Sequence, residues 1–134
     1  MKNIITPRFT LLLTLLLSII LLILNALALK FHLYFTTWWA DNINHFLGGA
    51  VFALVFYNLG LYINNQKDFS RIKRNILIIL AILIVGVLWE VFEWYFELTF
   101  VSDADYWSDT ILDVIMDTIG GTLMLKYIIT KIEK

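Results

Sequence analysis

The feature that most constrains this 134-residue chain is a set of four long apolar stretches. A helix that crosses the hydrocarbon core of a bilayer needs about 20 mostly apolar residues. Four stretches reach that length if a few acidic positions are tolerated: residues 9–29, 43–63, 76–96 and 109–129. The segments between them are short, so neighbouring helices should run antiparallel. The sequence therefore predicts an all-α, polytopic membrane protein, with four transmembrane helices in an antiparallel bundle and a single domain over residues 1–134.

The first apolar stretch has a second interpretation, as a secretory signal. Lys2 and Arg8 precede it, and Ala26-Leu27-Ala28 resembles a cleavage site of small residues. The apolar run is longer than the usual signal core of ~7 to 15 residues. Polar side chains also recur on one face of it: Thr10, Thr14, Ser18 and Asn25. Such a face is typical of a helix that packs against other membrane helices, and we favour a span.

The Lys and Arg residues are divided unequally between the two sides of the predicted bundle. Positively charged loops remain in the cytoplasm. With the N-terminus inside, only Lys30 of the 10 Lys and Arg residues lies outside. The 5 Trp residues all fall at or near the outer ends of the spans. The pattern predicts cytoplasmic N and C termini and a multi-pass protein of the inner (cytoplasmic) cell membrane.

Two acidic stripes run along the third and fourth spans. They consist of Glu90, Glu93 and Glu97, then Asp109, Asp113 and Asp117. Residues three and four apart share one helix face. A carboxylate at mid-helix costs about 2.5 to 3.5 kcal/mol, so these side chains should face the bundle interior. Protonation, a cation or both must then compensate their charge.

The second span brings an imidazole to the same depth, because Asp41 and His45 lie four residues apart at its outer end. Glycines let membrane helices approach closely and should draw the spans together here: Gly48, Gly49, Gly86, Gly120 and Gly121. One imidazole beside several carboxylates forms an oxygen-rich donor set for a divalent ion. Mg, Mn or Ca suits hard oxygen donors, and Zn or Fe is the alternative if the imidazole binds tightly.

The predicted metal ligands are Asp41, His45, Glu90, Asp113 and Asp117. Two other interpretations of the same residues stay open. The carboxylates either share protons in a network without metal, or bind a cationic group of a ligand. His32 lies among aromatic residues of the first outer loop and is interpreted as an interfacial side chain.

Three motifs carry a resemblance to known proteins: Asp41-x-x-x-His45-Phe46, Trp-Glu-Val-Phe-Glu-Trp over residues 89–94, and Asp105-x-Trp107-x-Asp109-Thr110, followed by Asp113 and Gly120. In this order, over residues 41–121, the chain resembles uncharacterised bacterial inner-membrane proteins of the YjdF type and, more distantly, the VanZ-like group. The resemblance implies a small polytopic membrane protein with a role in the cell envelope. VanZ-like proteins are associated with glycopeptide (teicoplanin) resistance.

Function remains open between three classes. The first is a binding or assembly protein whose cation-bridged cluster fixes the bundle and whose aromatic outer surface recruits a lipid or a membrane-protein partner. The second is a metal-assisted hydrolase or transferase acting on a lipid headgroup or lipid-linked envelope intermediate, with Glu93 or Asp109 as the catalytic base. No established catalytic signature supports it. Nucleic-acid binding has no support.

The third class is an ion- or proton-coupled transporter, because acidic residues within spans commonly mark such routes. A route must cross the membrane. The inner half is predicted to offer Asn25, Tyr57 and Asn58 but no ionisable residue deep in a span. A single bundle would therefore be closed at one end, and transport would require a homo-oligomer.

Overall fold

A computed structural model describes residues 5–64, 70–96 and 106–132, and helices dominate all three ranges. The helices are α1 (Ile5–Lys30), α2 (Leu33–Thr36), α3 (Ala40–Asn64), α4 (Arg71–Phe96) and α5 (Tyr106–Tyr127), followed by a π-helical turn over Ile128–Ile132. Within these ranges there is no strand. The all-α prediction is confirmed.

Helix α3 lies at the centre and contacts α1, α4 and α5. Thr10, near the start of α1, donates a hydrogen bond to Asn58, near the end of α3, at 2.6 Å, so the two helices are antiparallel. His45 in the first half of α3 meets Asp113 in the first half of α5, so these two helices are parallel. Glu90, near the end of α4, also reaches His45, so α4 opposes both. The four long helices alternate in direction along the chain.

Among the described residues, three helices are long and apolar enough to cross a membrane, rather than the four predicted: Arg8–Lys30, Ala40–Ile63 and Arg71–Phe96. The predicted fourth span, residues 109–129, lies largely on α5, which is 22 residues long. Charged side chains interrupt its apolar character: Asp109, Asp113, Asp117 and Lys126. Length and composition alone therefore do not identify α5 as a span.

The bundle exposes apolar side chains on its outer surface and encloses a small core. Leu12 and Leu22 on α1 are each 66% exposed. The core cluster consists of Ala53, Leu54, Tyr57, Ile78, Ile82, Leu125 and Ile128. A surface of this kind suits lipid as the surrounding solvent, since a soluble protein rarely exposes such large contiguous apolar patches.

Most basic residues and the Trp residues lie at opposite ends of the bundle. The start of α3, the end of α4 and the start of α5 share one end, and that end carries every Trp: Trp38, Trp39, Trp89, Trp94 and Trp107. The other end carries most of the described basic residues: Arg8, Arg71, Lys73, Arg74, Lys126 and Lys131. Among the described basic residues, Lys30 alone lies at the Trp-bearing end, as predicted. Which end is cytoplasmic stays a prediction.

The backbones of α3 and α5 approach closely at two glycines. A Cβ atom at Gly49 would overlap the main-chain carbonyl of Asp117, and one at Gly120 would overlap the carbonyl of Phe46. Since both obstacles are backbone, neither helix accommodates a side chain there without moving. The predicted packing role of these glycines is confirmed.

The polar face of α1 also packs as predicted. Asn58 of α3 accepts the bond from Thr10 and donates one from its side-chain amide to Thr14 at 3.1 Å. Hydrogen bonds of this kind join helices that have no hydrophobic driving force between them in lipid.

Candidate metal site

His45 is the centre of the acidic region at the Trp-bearing end of the bundle. The imidazole is buried, with 6% of the residue exposed. Its Nδ1 lies 3.2 Å from Asp117 Oδ2. Its Nε2 faces three other carboxylates, at 3.6 Å from Asp41 Oδ1 and 3.9 Å from Glu90 Oε1 and Asp113 Oδ2. Three helices, α3, α4 and α5, therefore contribute acids to one imidazole, as the two acidic stripes predicted.

Two overlapping groups of side chains have the spacing of metal ligands. Asp41, His45 and Asp113 form one group, and His45, Glu90 and Glu93 form the other. In each group the donor atoms lie within 4.8 Å of one another. Ligands on opposite sides of an ion at about 2.0 to 2.6 Å are about 4.0 to 5.2 Å apart. The groups are therefore compact enough to surround one cation. We call these five residues together with Asp117 the His45 cluster.

Two carboxylate oxygens of the His45 cluster are buried without a hydrogen bond. They are Asp113 Oδ1 and Glu90 Oε1, on residues that are 2% and 6% exposed. Leaving a buried acceptor unsatisfied costs about 1 to 3 kcal/mol, and more if it is charged. No Lys or Arg in the described ranges forms an ion pair with either residue. Both oxygens therefore require a proton or a cation.

Asp117 is held among glycines on the side of His45 away from the other acids. A Cβ atom at Gly86 of α4 would lie 2.9 Å from Asp117 Oδ2, and one at Gly48 of α3 would lie 3.5 Å from Oδ1. Close packing of small residues around this carboxylate fixes its position. Asp117 belongs to neither group of metal-ligand spacing, although the sequence placed it among the ligands.

The two predicted catalytic acids have different surroundings. Glu93 is half-buried, lines a cavity and belongs to one of the two ligand groups. The prediction that the acidic stripe faces the bundle interior is wrong for Asp109, which is exposed because it lies in the first turn of α5, at the end of the bundle. Asp109 belongs to neither ligand group. Glu97, the third member of its stripe, and Asp105 of the motif lie outside the described residues.

A polar network beside the cluster was missed by the sequence analysis. Tyr34 of α2 donates its hydroxyl to Asn25 Oδ1 at 2.5 Å and accepts a bond from Asn44 Nδ2 at 2.6 Å. Burial, followed by the nearby Asp41 carboxylate, raises the pKa of Tyr34 to about 12, which keeps the donor protonated. The placement of Asn25 in the inner half was wrong, because Asn25 lies on the cluster side. The position of Asn25 within an apolar stretch was the sequence feature that could have indicated a polar partner for this helix.

A cavity of about 420 Å³ adjoins the cluster. Helices α1 and α4 form its walls and α3 forms its floor. Asp41, His45 and Glu93 line one end, whereas Leu21, Phe52 and other apolar side chains line the body.

Comparison with known protein families identifies a match. A family profile described as "Predicted membrane protein (DUF2238)" matches residues 3–133, which is almost the whole chain. Neither the curated proteins nor the solved structures contain a match.

Proposed function

This chain belongs to that family of predicted membrane proteins, the family of the YjdF-type proteins, and on that premise we propose that it binds a divalent cation in the His45 cluster. The proposed ligands come from Asp41, His45, Glu90 and Asp113, with Glu93 at the edge of the set. Mg, Mn or Ca suits the excess of oxygen donors, and Zn is the alternative. The protein acts in the cell envelope as a binding or assembly protein. The VanZ-like resemblance and its resistance function stay predictions.

The observation that carries this proposal is the division of acids between the two nitrogens of His45. Asp117 Oδ2 lies within hydrogen-bond distance of Nδ1, whereas Asp41, Glu90 and Asp113 face Nε2. In this proposal Asp117 accepts a hydrogen bond from Nδ1–H, and the lone pair of Nε2 binds the ion. Metal-binding histidines commonly donate their other N–H to a carboxylate, which fixes the tautomer and the ring orientation. Asp117 therefore orients the imidazole in this proposal, and the remaining acids bind the ion.

The proposed membrane arrangement retains four spans, with α5 as the fourth. At 22 residues, α5 is about 33 Å long, which matches a hydrocarbon core of about 30 Å. It packs along α3, itself a candidate span, and its Asp113 and Asp117 are buried against the bundle rather than exposed to lipid. The distribution of basic residues supports cytoplasmic termini in the inner membrane, and in this proposal the cluster lies on the outer side.

Metal analysis of the purified protein, combined with thermal unfolding, tests the proposal. A bound ion should appear in about one equivalent per chain. An ion at a hundredfold excess over its Kd should stabilise the folded state by about 2.7 kcal/mol. EDTA should remove this gain. A protein that contains no ion and does not respond to Mg, Mn, Ca or Zn would contradict the proposal.

Charge-neutralising variants separate metal binding from a network that shares protons. Asp113→Asn and Glu90→Gln should lower stability in the presence of the ion, because each removes a ligand. In EDTA they should be at least as stable as the wild type, since each removes one negative charge from a buried group of acids that repel one another. Asp109→Asn is the matched control on an exposed acid. It should leave the stability unchanged both with the ion and in EDTA. Stabilisation by Asp113→Asn under both conditions would favour proton sharing and exclude the metal site.

A second candidate function is a metal-assisted hydrolase or transferase that acts on an envelope lipid. The observation that favours it is Glu93, which lies beside His45 and Glu90 and also lines the cavity. A carboxylate in that position suits a general base. Incubation with envelope lipids should then give turnover that His45→Ala abolishes. Glu93→Gln should retain the ion and lose the turnover, and turnover that survives both changes would exclude this function.

A further inference from the structure

The cavity beside the His45 cluster is amphipathic along its length. One end presents Asp41, His45 and Glu93, and the body is formed by apolar side chains such as Leu21, Phe52 and Val85. Its volume of about 420 Å³ lies within the range of about 300 to 1,000 Å³ that small-molecule sites occupy. An elongated apolar site with charge at one end suits an amphiphile better than a polar solute.

The cavity adjoins the lipid-facing surface of the bundle. Helix α1 packs mainly against α3, and the cavity occupies the gap between α1 and α4. Leu22 in one wall is 66% exposed, and Trp89 in the other wall is 49% exposed. In a membrane, apolar side chains on both sides of this gap contact acyl chains. The gap therefore admits a ligand from the bilayer rather than from water.

The depth of the cavity matches the position of a lipid within one leaflet. Trp89 lines the cavity and belongs to the Trp-bearing end, and Trp concentrates at the level of the headgroups. From Glu93 to Ile82, the wall contributed by α4 extends about 16 Å, or about half of a hydrocarbon core of about 30 Å. The charged end thus lies near the headgroups and the apolar body lies among the acyl chains.

We infer that this cavity binds the acyl chain of a membrane phospholipid whose phosphate oxygens reach the cation in the His45 cluster, an inference that rests on the proposed function. Phosphate oxygens are hard donors of the type that Mg, Mn and Ca prefer. Without the cation, the carboxylates of the cluster repel an anionic phosphate. Phospholipid binding through this headgroup contact therefore depends on the ion.

Photolabelling of the full chain tests the inference. The protein is reconstituted in phosphatidylcholine vesicles that contain phosphatidic acid with a diazirine on its acyl chain, with Mn²⁺ or EDTA present. After irradiation, the labelled peptides are identified by mass spectrometry. With Mn²⁺ the label should concentrate on the parts of α1 and α4 around Leu22 and Val85, and EDTA should greatly reduce it. Labelling spread evenly over the lipid-facing helices, or labelling unchanged by EDTA, overturns the inference.

A pair of matched substitutions on α4 supplies the control. Val85→Phe fills the cavity and should reduce labelling about tenfold. Val87→Phe adds the same ring to a lipid-facing position that is 51% exposed, and it should leave the labelling unchanged. If Val85→Phe no longer binds Mn²⁺, Leu21→Phe in the opposite wall replaces it. Equal labelling of the two α4 variants overturns the inference.

Metal analysis of the same samples distinguishes the two proposals. A wild-type protein that binds Mn²⁺ without labelling in the cavity excludes the phospholipid and leaves the proposed function intact. A wild-type protein that binds no ion excludes the proposed function.

Discussion

Asp117 Oδ2 lies 3.2 Å from His45 Nδ1, although 72 residues separate the two along the chain. This contact joins α5 to α3 at one of the two points where their backbones approach closely, beside Gly49. Because Asp117 contacts Nδ1, the other acids of the cluster face Nε2. The same pair thus connects the packing of the bundle with the chemistry of the His45 cluster.

Asp117→Asn should weaken the proposed metal site without destroying it. The amide oxygen still accepts a bond from Nδ1–H but no longer raises the basicity of the ring, so the Kd for the ion should increase about 10- to 100-fold at unchanged stoichiometry. Isothermal titration with Mn²⁺ measures both quantities. Thr118→Ala, at the next position of α5, is the control and should leave the Kd unchanged. Complete loss of binding in Asp117→Asn would instead make Asp117 a ligand, as the sequence predicted.

Gly49→Ala should destabilise the bundle by about 1 to 3 kcal/mol, because its Cβ atom would meet the backbone carbonyl of Asp117 and force α3 and α5 apart. Gly60→Ala on the same helix is the control. Its Cβ atom would lie 3.4 Å from the flexible side chain of Arg74, and alanine favours the helix by up to about 1 kcal/mol. Unfolding of the two variants in detergent gives the comparison. Equal stability would contradict the close approach of α3 and α5.

The topology is testable with single cysteines, because the natural chain contains none. Trp107→Cys and Lys131→Cys mark the two ends of the α5 region. In intact cells a membrane-impermeant maleimide should label the first and not the second, and permeabilised cells should label both. Lys30→Cys and Lys73→Cys report the outer and inner sides in the same way. Reversed labelling would invert the orientation, and labelling of both α5 sites in intact cells would remove the fourth span.

Tyr34→Phe should destabilise the packing of α1 by about 1 to 3 kcal/mol, because the hydroxyl joins Asn25 of α1 to Asn44 of α3. Tyr62→Phe is the control at a residue that is 82% exposed, and it should change stability by less than about 0.5 kcal/mol. Thermal unfolding of both variants tests the difference. Equal melting temperatures would show that the Tyr34 network does not hold α1.

Deprotonation of Tyr34 should lower the stability of the folded state in alkali. Its pKa is raised from 10.0 to about 12, so above pH 10 the folded state keeps a proton that the unfolded chain loses. The stabilisation is complete below pH 10 and is lost as the pH rises towards 12. Thermal unfolding between these values should therefore show a shallower decline for Tyr34→Phe than for the wild type. An equal decline in the two proteins would contradict the raised pKa of Tyr34.

Several parts of the site were predictable because they depend on local spacing. Glu90 and Glu93 share a helix face through their separation of three residues, and the cost of charge in lipid directs that face inwards. The glycines near Asp117 in the sequence indicated close helix packing. The distribution of Trp and basic residues indicated the two ends of the bundle in the same way.

What the sequence determined by itself is therefore the helical class, the position of each acid along its helix and the side of the helix on which it lies. Only the tertiary structure decided that Asp117 takes the second nitrogen of His45, that Asn25 meets Tyr34, and that a cavity separates α1 from α4. These features depend on how each helix is rotated and tilted against its neighbours. Backbone contact at glycines such as Gly49 and Gly120 sets that rotation, and it joins residues far apart in the chain.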